Sequence, residues 1–398
     1  MSVIKIRARR ECGNGAGTTM TEAAISTHRG MEDVCLAECK ALLGVRGTKG
    51  DGVVFVDAPL KRLCEFCYRC RSATRVIAVL DKEKLGVGKA TGADPLEVAT
   101  QLAQRAPLGD WFKGNPTFAC RAHHLEDSME VAAEAGGIIN DRTNAKVDLD
   151  NPQLTTIVIL FGDTLVLGID LGGELVGRRE YRIFLGSDSL QGTLAFGLLG
   201  IAGYDASQSL CDIFCRSGII CIEAAMQAAD IAPCKHQRDL AFRDIPLLAD
   251  EDWNAILDGI DKEEHEPKKS VIAMDETFGA VAAAKKNAKI AGVVKFMDFS
   301  RTDLEFLDAK FGKGGIDMIC TMPPQPSATL SGNKLDAILK QLFYQAEFIL
   351  KKGGTLGIIT KAKQDLLKQY AAEFKFSLKH ERDVFQGKLK MSVLVFSK

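Results

Sequence analysis

Asp212-Ile213-Phe214-Cys215-Arg216-Ser217-Gly218-Ile219-Ile220-Cys221-Ile222-Glu223-Ala224-Ala225 is the stretch whose reading decides the fold. The apolar run Leu210 to Phe214 reads as a short buried strand. The chain then breaks on Arg216-Ser217-Gly218 and enters a helical segment over Ile219 to Ala229. A strand, a small-residue turn and a helix N-terminus gather backbone N–H groups into a cradle for a polar tail. Many α/β chains contain one such unit, so the weight falls on the residues downstream of it. Val271-Ile272-Ala273-Met274-Asp275 is a second apolar strand ending in an acid, with a helix over Glu276 to Ala291 behind it. A carboxylate at the tip of a second strand can accept the hydroxyls of a ribose; its other reading is a helix cap.

The same alternation continues outward in both directions. Leu190 to Leu199 reads as an apolar helix leading into the opening stretch. Val293 to Met297 reads as a third strand and Gly315 to Gln325 as a fourth strand with its loop. Asn333 to Leu350 is a long amphipathic helix, stopped by Lys351-Lys352-Gly353-Gly354. Thr355 to Thr360 is a fifth strand, and Phe376 to His380 with Ser392 to Phe396 form a closing hairpin. Trp253 and the charged run Asp261 to Lys269 read as a surface insertion.

The 398 residues suffice for two or three domains, and 46% hydrophobic with 26% charged residues places the chain among ordinary globular proteins. It shows no apolar run of bilayer-spanning length and no apolar secretion signal at its start. The twelve cysteines are scattered through apolar and helical contexts, which points to reduced thiols and a cytoplasmic setting. The formal net charge is -1, so a nucleic-acid partner needs a local basic surface.

The N-terminal half carries two smaller patterns. Residues 1–23 begin basic, with Lys5, Arg7, Arg9 and Arg10, and turn glycine-rich; they read as a flexible extension with one strand at Val3 to Arg7, either a solvated tail or a phosphate-touching arm. Met31 to Leu43 and Leu60 to Arg71 are helical by period, and Gly52 to Val56 and Thr74 to Leu80 are strands, in the β-α-β-β-α-β order of a ferredoxin-like fold. Cys64, Cys67 and Cys70 make two CxxC steps near Cys35 and Cys39. The spacing admits zinc or an iron–sulfur cluster, but it is also one face of a helix, and helix packing is the reading preferred. Next come a helix over Pro95 to Gln104 capped by Asp94, a strand over Thr117 to His123, a helix over Ser128 to Asn140, and a hairpin of Thr155 to Leu160 with Thr164 to Ile169. His123 and His124 point to opposite faces of a strand and make a poor ligand pair.

Several of these segments carry a family resemblance. Pro116-Thr117-Phe118-Ala119-Cys120-Arg121-Ala122-His123 resembles the central strand of a THUMP domain, as does Lys146-Val147-Asp148-Leu149-Asp150-Asn151-Pro152 with the two strands behind it. Asp170 to Arg182 is similar to the linker joining THUMP to the catalytic domain in guanine-N2 RNA methyltransferases, among them the archaeal tRNA guanine-6 enzyme. Leu210 to Gly218 matches that family's D-P-F-C-G-S-G motif, and Ile231-Ala232-Pro233 with Arg238, Ala241 and Phe242 resembles its next segment. Met322-Pro323-Pro324-Gln325 stands where amino-methyltransferases carry N-P-P-Y. There a side-chain carbonyl and a proline carbonyl accept the amine hydrogens, and the aromatic ring stacks on the base.

The resemblance implies an α/β chain: a Rossmann-like methyltransferase domain with a mostly parallel seven-stranded sheet, preceded by a ferredoxin-like plus THUMP region. The implied division is extension 1–23, ferredoxin-like domain 24–90, THUMP RNA-binding domain 91–172, linker 173–188 and methyltransferase domain 189–398. The implied cofactor is S-adenosyl-L-methionine, held by Asp212, Phe214, Cys215, Ser217 and Gly218, with Asp275 on the ribose and Asp303 near the adenine. The implied partner is tRNA, or rRNA, with Lys113, Arg121, Arg142, Lys146, Arg178 and Arg182 as phosphate contacts; no membrane or protein partner is implied. Arg178, Arg179 and Arg182 could instead lock two domains together. The implied reaction is N2-methylation of guanosine, with Met322, Pro323, Pro324 and Gln325 at the acceptor. At positions that depart from the motifs, Met322 has no strong acceptor, Gln325 cannot stack as tyrosine does, and Arg216 replaces a glycine, where it can pair with a cofactor carboxylate. An RNA-binding protein with impaired or lost catalysis, and an rRNA guanine-N2 methyltransferase, are the other readings.

Overall fold

The computed structural model describes residues 19–86, 93–186, 189–327, 330 and 332–398. The expected strand at Val3 to Arg7 lies outside them. In chain order the elements are β1 (Met20–Thr27), α1 (Glu32–Leu43), β2 (Gly47–Gly50), β3 (Val53–Pro59), α2 (Leu60–Arg69) and β4 (Ala73–Lys84). Then come α3 (Pro95–Arg105), β5 (Phe118–His123), α4 (Ser128–Thr143), β6 (Leu154–Phe161) and β7 (Thr164–Asp170). The remainder is α5 (Gly192–Ala202), β8 (Leu210–Asp212), α6 (Ile219–Ala228), α7 (Trp253–Asp261), β9 (Val271–Asp275), α8 (Phe278–Ile290), β10 (Met297–Arg301), α9 (Leu307–Phe311), β11 (Ile316–Thr321), α10 (Asn333–Ile349), β12 (Leu350–Thr360), α11 (Gln364–Glu373), β13 (Ser377–Gln386) and β14 (Leu389–Ser397). They form two compact units, 19–178 with 234–262, and 179–233 with 263–398.

The first unit holds one sheet of order β2-β3-β1-β4-β7-β6-β5. Its first four strands and two helices follow the ferredoxin-like order. β1 lies inside the sheet, so Ala23, Ala24 and Ile25 are fully buried, and the strand starts at Met20, within the span read as an extension. β2 was not expected: Gly-Thr-Lys-Gly has no apolar alternation, and it forms by pairing at the sheet edge with β3. Cys35, Cys39, Cys64, Cys67 and Cys70 are buried around α1 and α2. Among the described residues no group of three or more His, Cys, Asp or Glu side chains could hold a metal. None of the eleven cysteines described is in a disulfide. Asp94 caps α3, accepting from the Leu96 N–H at 3.0 Å.

The excursion over 234–262 packs in this unit. Trp253 is 5% exposed, its ring 4.5 Å from that of Phe242, whose N–H donates to the Leu171 carbonyl at 2.7 Å. Tyr68 on α2 donates to Asp261 at 2.9 Å, and Lys61 pairs with Glu251 at 2.6 Å. The reading of Trp253 as part of a surface insertion is therefore corrected: burying that indole anchors the segment.

The second unit holds a seven-stranded sheet of order β10-β9-β8-β11-β12-β14-β13. β10, β9, β8, β11 and β12 run parallel, and β14 is antiparallel to both neighbours. From β8 the chain steps one way to β9 and β10, then returns to the other side for β11 and β12. The strand order reverses between β8 and β11, and the crevice at their carboxyl ends is where such sheets bind ligands. Two expectations shift. The strand placed at Val293 to Met297 is β10, because the N–H groups of Gly292, Val293 and Phe296 close turns first. Lys351 to Gly354 is no helix stop: α10 ends at Ile349 and β12 begins at once, Leu350 pairing with Ile316. No described helix is long and apolar enough to cross a membrane.

Candidate active site

β8 ends on Asp212, whose side chain is buried. Its Oδ1 accepts the Thr321 hydroxyl at 2.6 Å and the Phe214 N–H at 3.1 Å. Burial pushes this carboxyl up to about 7, helped by the charge of Asp275; the bonds from Thr321 and Phe214 and the charge of Arg216 pull the other way. The loop after Asp212 turns over the strand ends. The Cys215 N–H donates to the Met274 carbonyl at 2.8 Å and the Gly218 N–H to the Cys215 carbonyl at 2.6 Å. Gly218 opens α6 at φ 80°, and a Cβ there would stand 2.8 Å from that of Ala284, so only glycine lets the helix pack this close. Ser217 is held by Asn287, which donates to its carbonyl at 2.9 Å, while its hydroxyl accepts the Gly186 N–H at 3.2 Å.

Asp275 ends β9 beside this loop. Its Oδ1 accepts the Thr277 N–H at 3.0 Å and hydroxyl at 2.8 Å; its Oδ2 accepts the Arg216 N–H at 3.1 Å. Oδ1 is filled, and Oδ2 has capacity for one further donor. Asp303 is exposed just past the end of β10, next to Thr302, whose N–H donates to the Asp275 carbonyl at 3.1 Å.

β11 brings the fourth strand end to the same crevice. Thr321 is bound to Asp212, and Met322 is 4% exposed. The Pro323 carbonyl accepts two donors, Gln325 Nε2 at 2.7 Å and Arg216 Nη2 at 3.1 Å. Gln325 is 8% exposed, its Oε1 accepting the Lys361 N–H at 2.9 Å. Pro324 is half-buried. Asp275 and Pro323 thus meet through one residue, Arg216, which stands at φ 48° in the left-handed region its family glycine would favour. Asp212, Phe214, Cys215, Arg216, Ser217 and Met322 are among the walls of a cavity of about 30 Å³.

Sequence reasoning missed Thr321, Thr277, Glu223 and Asn287. Thr277 was within reach as a cap following a strand–acid pair. The other three bond to residues more than forty positions away, which no local spacing encodes. Arg179 is buried and pairs with Glu223 on α6 at 2.7 Å, and Tyr181 donates to the same oxygen at 2.6 Å. That pairing lies within the second unit rather than between two domains, and it leaves the guanidinium buried away from solvent. Of the other cations, Lys113, Lys146 and Arg178 are exposed. Arg121 donates to the Leu149 carbonyl, Arg142 donates to the Ala103 carbonyl at 2.6 Å, and Arg182 is half-buried with no partner for its Nε.

The domain profiles match in the same order as these elements. An RlmL ferredoxin-like domain matches residues 22–77 and a THUMP domain residues 96–170. The chain is 27% identical to the tRNA (guanine(6)-N2)-methyltransferase of Methanocaldococcus jannaschii, over 90% of this chain and 95% of that one. It is 28% identical to the ribosomal RNA large subunit methyltransferase K/L of Photobacterium profundum, over 76% of this chain but 44% of that one, so it spans under half of that relative. A solved structure described as a possible methylase from Clostridium difficile 630 shares the fold, with a TM-score of 0.79 at 21% identity over 95% of this chain and 98% of that one. A methyltransferase-domain profile described as RMKL-like matches residues 179–392, more than half of the sequence, and the chain belongs to that family.

Proposed function

We propose that this protein transfers a methyl group from S-adenosylmethionine to N2 of a guanosine in RNA, with tRNA as the first candidate. One observation carries the reading: the acid-tipped end of β9 and the Pro-Pro loop after β11 share one crevice, joined by Arg216 at the point where strand order reverses. The residues present suit such a cofactor. Asp275 offers Oδ2 to a ribose hydroxyl, and Asp303 stands past the neighbouring strand for the adenine. Asp212, Phe214, Cys215, Ser217 and Gly218 shape the methionine end at the α6 N-terminus. The cofactor supplies an electrophilic methyl on a sulfonium.

The protein's part is alignment rather than acid–base chemistry. Pro323 and Pro324 present the target amine, and water is kept out by Met322 and the loop over β8. In the proposed division of labour the THUMP region, 91–172, holds the RNA, with Lys113 and Lys146 as exposed phosphate contacts and Arg121 and Arg142 as tethered ones; Arg178 and Arg182 are phosphate contacts on the linker. The setting is the cytoplasm.

The relative matched nearly end to end is a tRNA enzyme, which favours tRNA over rRNA. Mass spectrometry of tRNA and rRNA nucleosides from a strain lacking this protein tests the reading. Loss of N2-methylguanosine from tRNA alone is the expected result; its loss from rRNA alone moves the target, and no loss from either removes the activity. A second reading, an RNA-binding protein with impaired catalysis, draws on the two donors already seated on the Pro323 carbonyl. It predicts that the chain binds S-adenosylhomocysteine without labelling RNA.

A further inference from the structure

Three of the departures from the family motifs bear on the acceptor: Arg216 in the cofactor loop, and Met322 and Gln325 in the acceptor loop. In sequence the two loops lie more than a hundred positions apart. In the fold two of the three residues, Arg216 and Gln325, converge on one atom, the Pro323 carbonyl oxygen, and Met322 is the residue just before it. Arg216 Nη2 donates to it at 3.1 Å and Gln325 Nε2 at 2.7 Å. A peptide carbonyl has two lone pairs, and both have donors here. Gln325 is buried and fixed by the Lys361 N–H, so it is a tether rather than a stacking surface. Met322 offers only a thioether, a weak acceptor. An incoming amine would find no acceptor for either hydrogen while these contacts stand.

Arg216 is also conformationally unusual. A non-glycine residue at φ 48° is strained unless its surroundings hold it there. Two contacts do so: its N–H on Asp275 and its guanidinium on Pro323.

We propose that Arg216 is a positioning residue that gates the methyl-acceptor loop by occupying the Pro323 carbonyl. This rests on the methyltransferase reading above. The amine is accepted only when the guanidinium leaves, so Arg216 sets which acceptors react and how fast. Gln325 fixes the carbonyl's direction meanwhile.

The experiment uses the full chain, with S-adenosylhomocysteine titrated by calorimetry and labelled methyl transfer measured on unmodified bulk tRNA. Arg216→Gly relieves the left-handed residue and frees one lone pair. It raises kcat by about tenfold, while the affinity for S-adenosylhomocysteine and the KM for tRNA stay within about twofold. Met322→Asn alone gains less, because its new acceptor still lacks its neighbour. The double variant exceeds the product of the two single gains by about tenfold. Arg216→Lys, which keeps the charge and loses the planar fork, falls between wild type and Arg216→Gly. A loss of S-adenosylhomocysteine affinity in Arg216→Gly would overturn the proposal, since Arg216 would then serve the cofactor. Strict additivity of the two substitutions would also overturn it. If wild type binds S-adenosylhomocysteine and labels tRNA, and no Arg216 variant gains transfer, the gate is refuted and the functional reading stands. If neither wild type nor any variant binds it, both fall together.

Discussion

The two sides of the crevice treat their polar groups differently. On the β8–β9 side, carboxylates stand at strand tips with backbone donors around them, and Asp275 keeps capacity for one more. On the β11–β12 side, the carbonyl that should meet a substrate is already satisfied from within the protein. The cofactor side departs from its motif at Ile213 and at Arg216, and Arg216 is the residue that reaches across. A binding half can therefore stay intact while the reacting half is altered, because separate strand ends carry the two.

The largest effect expected on the cofactor side is at Asp212. Folding lifts its carboxyl to about 7, so between about pH 4 and that value the folded chain keeps a proton that the unfolded chain has lost. The associated stability is full below about pH 4 and is gone once pH passes about 7. Asp212→Asn stays neutral throughout and keeps an oxygen for Thr321. At pH 8 it should be more stable than wild type by up to roughly 4 kcal/mol, with the difference closing near pH 4. Urea unfolding at both pH values checks this; equal gains at the two would show that Asp212 is not the titrating group.

Next is Asp275→Ala, which removes a charged acceptor and the anchor for the Arg216 N–H. A loss of about 1.5–3 kcal/mol in S-adenosylhomocysteine binding is expected, roughly 10–100-fold in Kd by calorimetry. Unchanged affinity would take Asp275 out of the binding half and dissolve the contrast between the two sides.

The smallest effect belongs to Thr321, the one hydroxyl linking the end of β11 to Asp212. Thr321→Val should cost about 1 kcal/mol of stability and raise the Asp212 carboxyl further, moving the pH transition of stability upward. A transition that stays in place would separate the two strand ends energetically.

Much of this was legible in the sequence. The strand–turn–helix unit at Asp212 and the acid-tipped strand Val271 to Asp275 form where they were expected, because each is a local apolar run with a sharp stop. The ferredoxin-like order was legible for the same reason. β2 and β10 were harder, being edge strands whose exposed residues blur the pattern. What no local rule gives is a bond between side chain and backbone a hundred residues apart. Arg216 read as a crowded glycine position or a partner for a cofactor carboxylate; the structure places its guanidinium on Pro323 instead. Likewise, nothing in the period of α7 says which unit its tryptophan will enter.

That excursion bears on synthesis. The N-terminal unit buries Trp253 and ties Tyr68 to Asp261, so its last piece leaves the ribosome only after β8, α6 and the cofactor loop have been translated. The front half waits on the back half, the two mature in overlap rather than in turn, and a fragment ending at residue 178 would leave that part of its interior open to solvent.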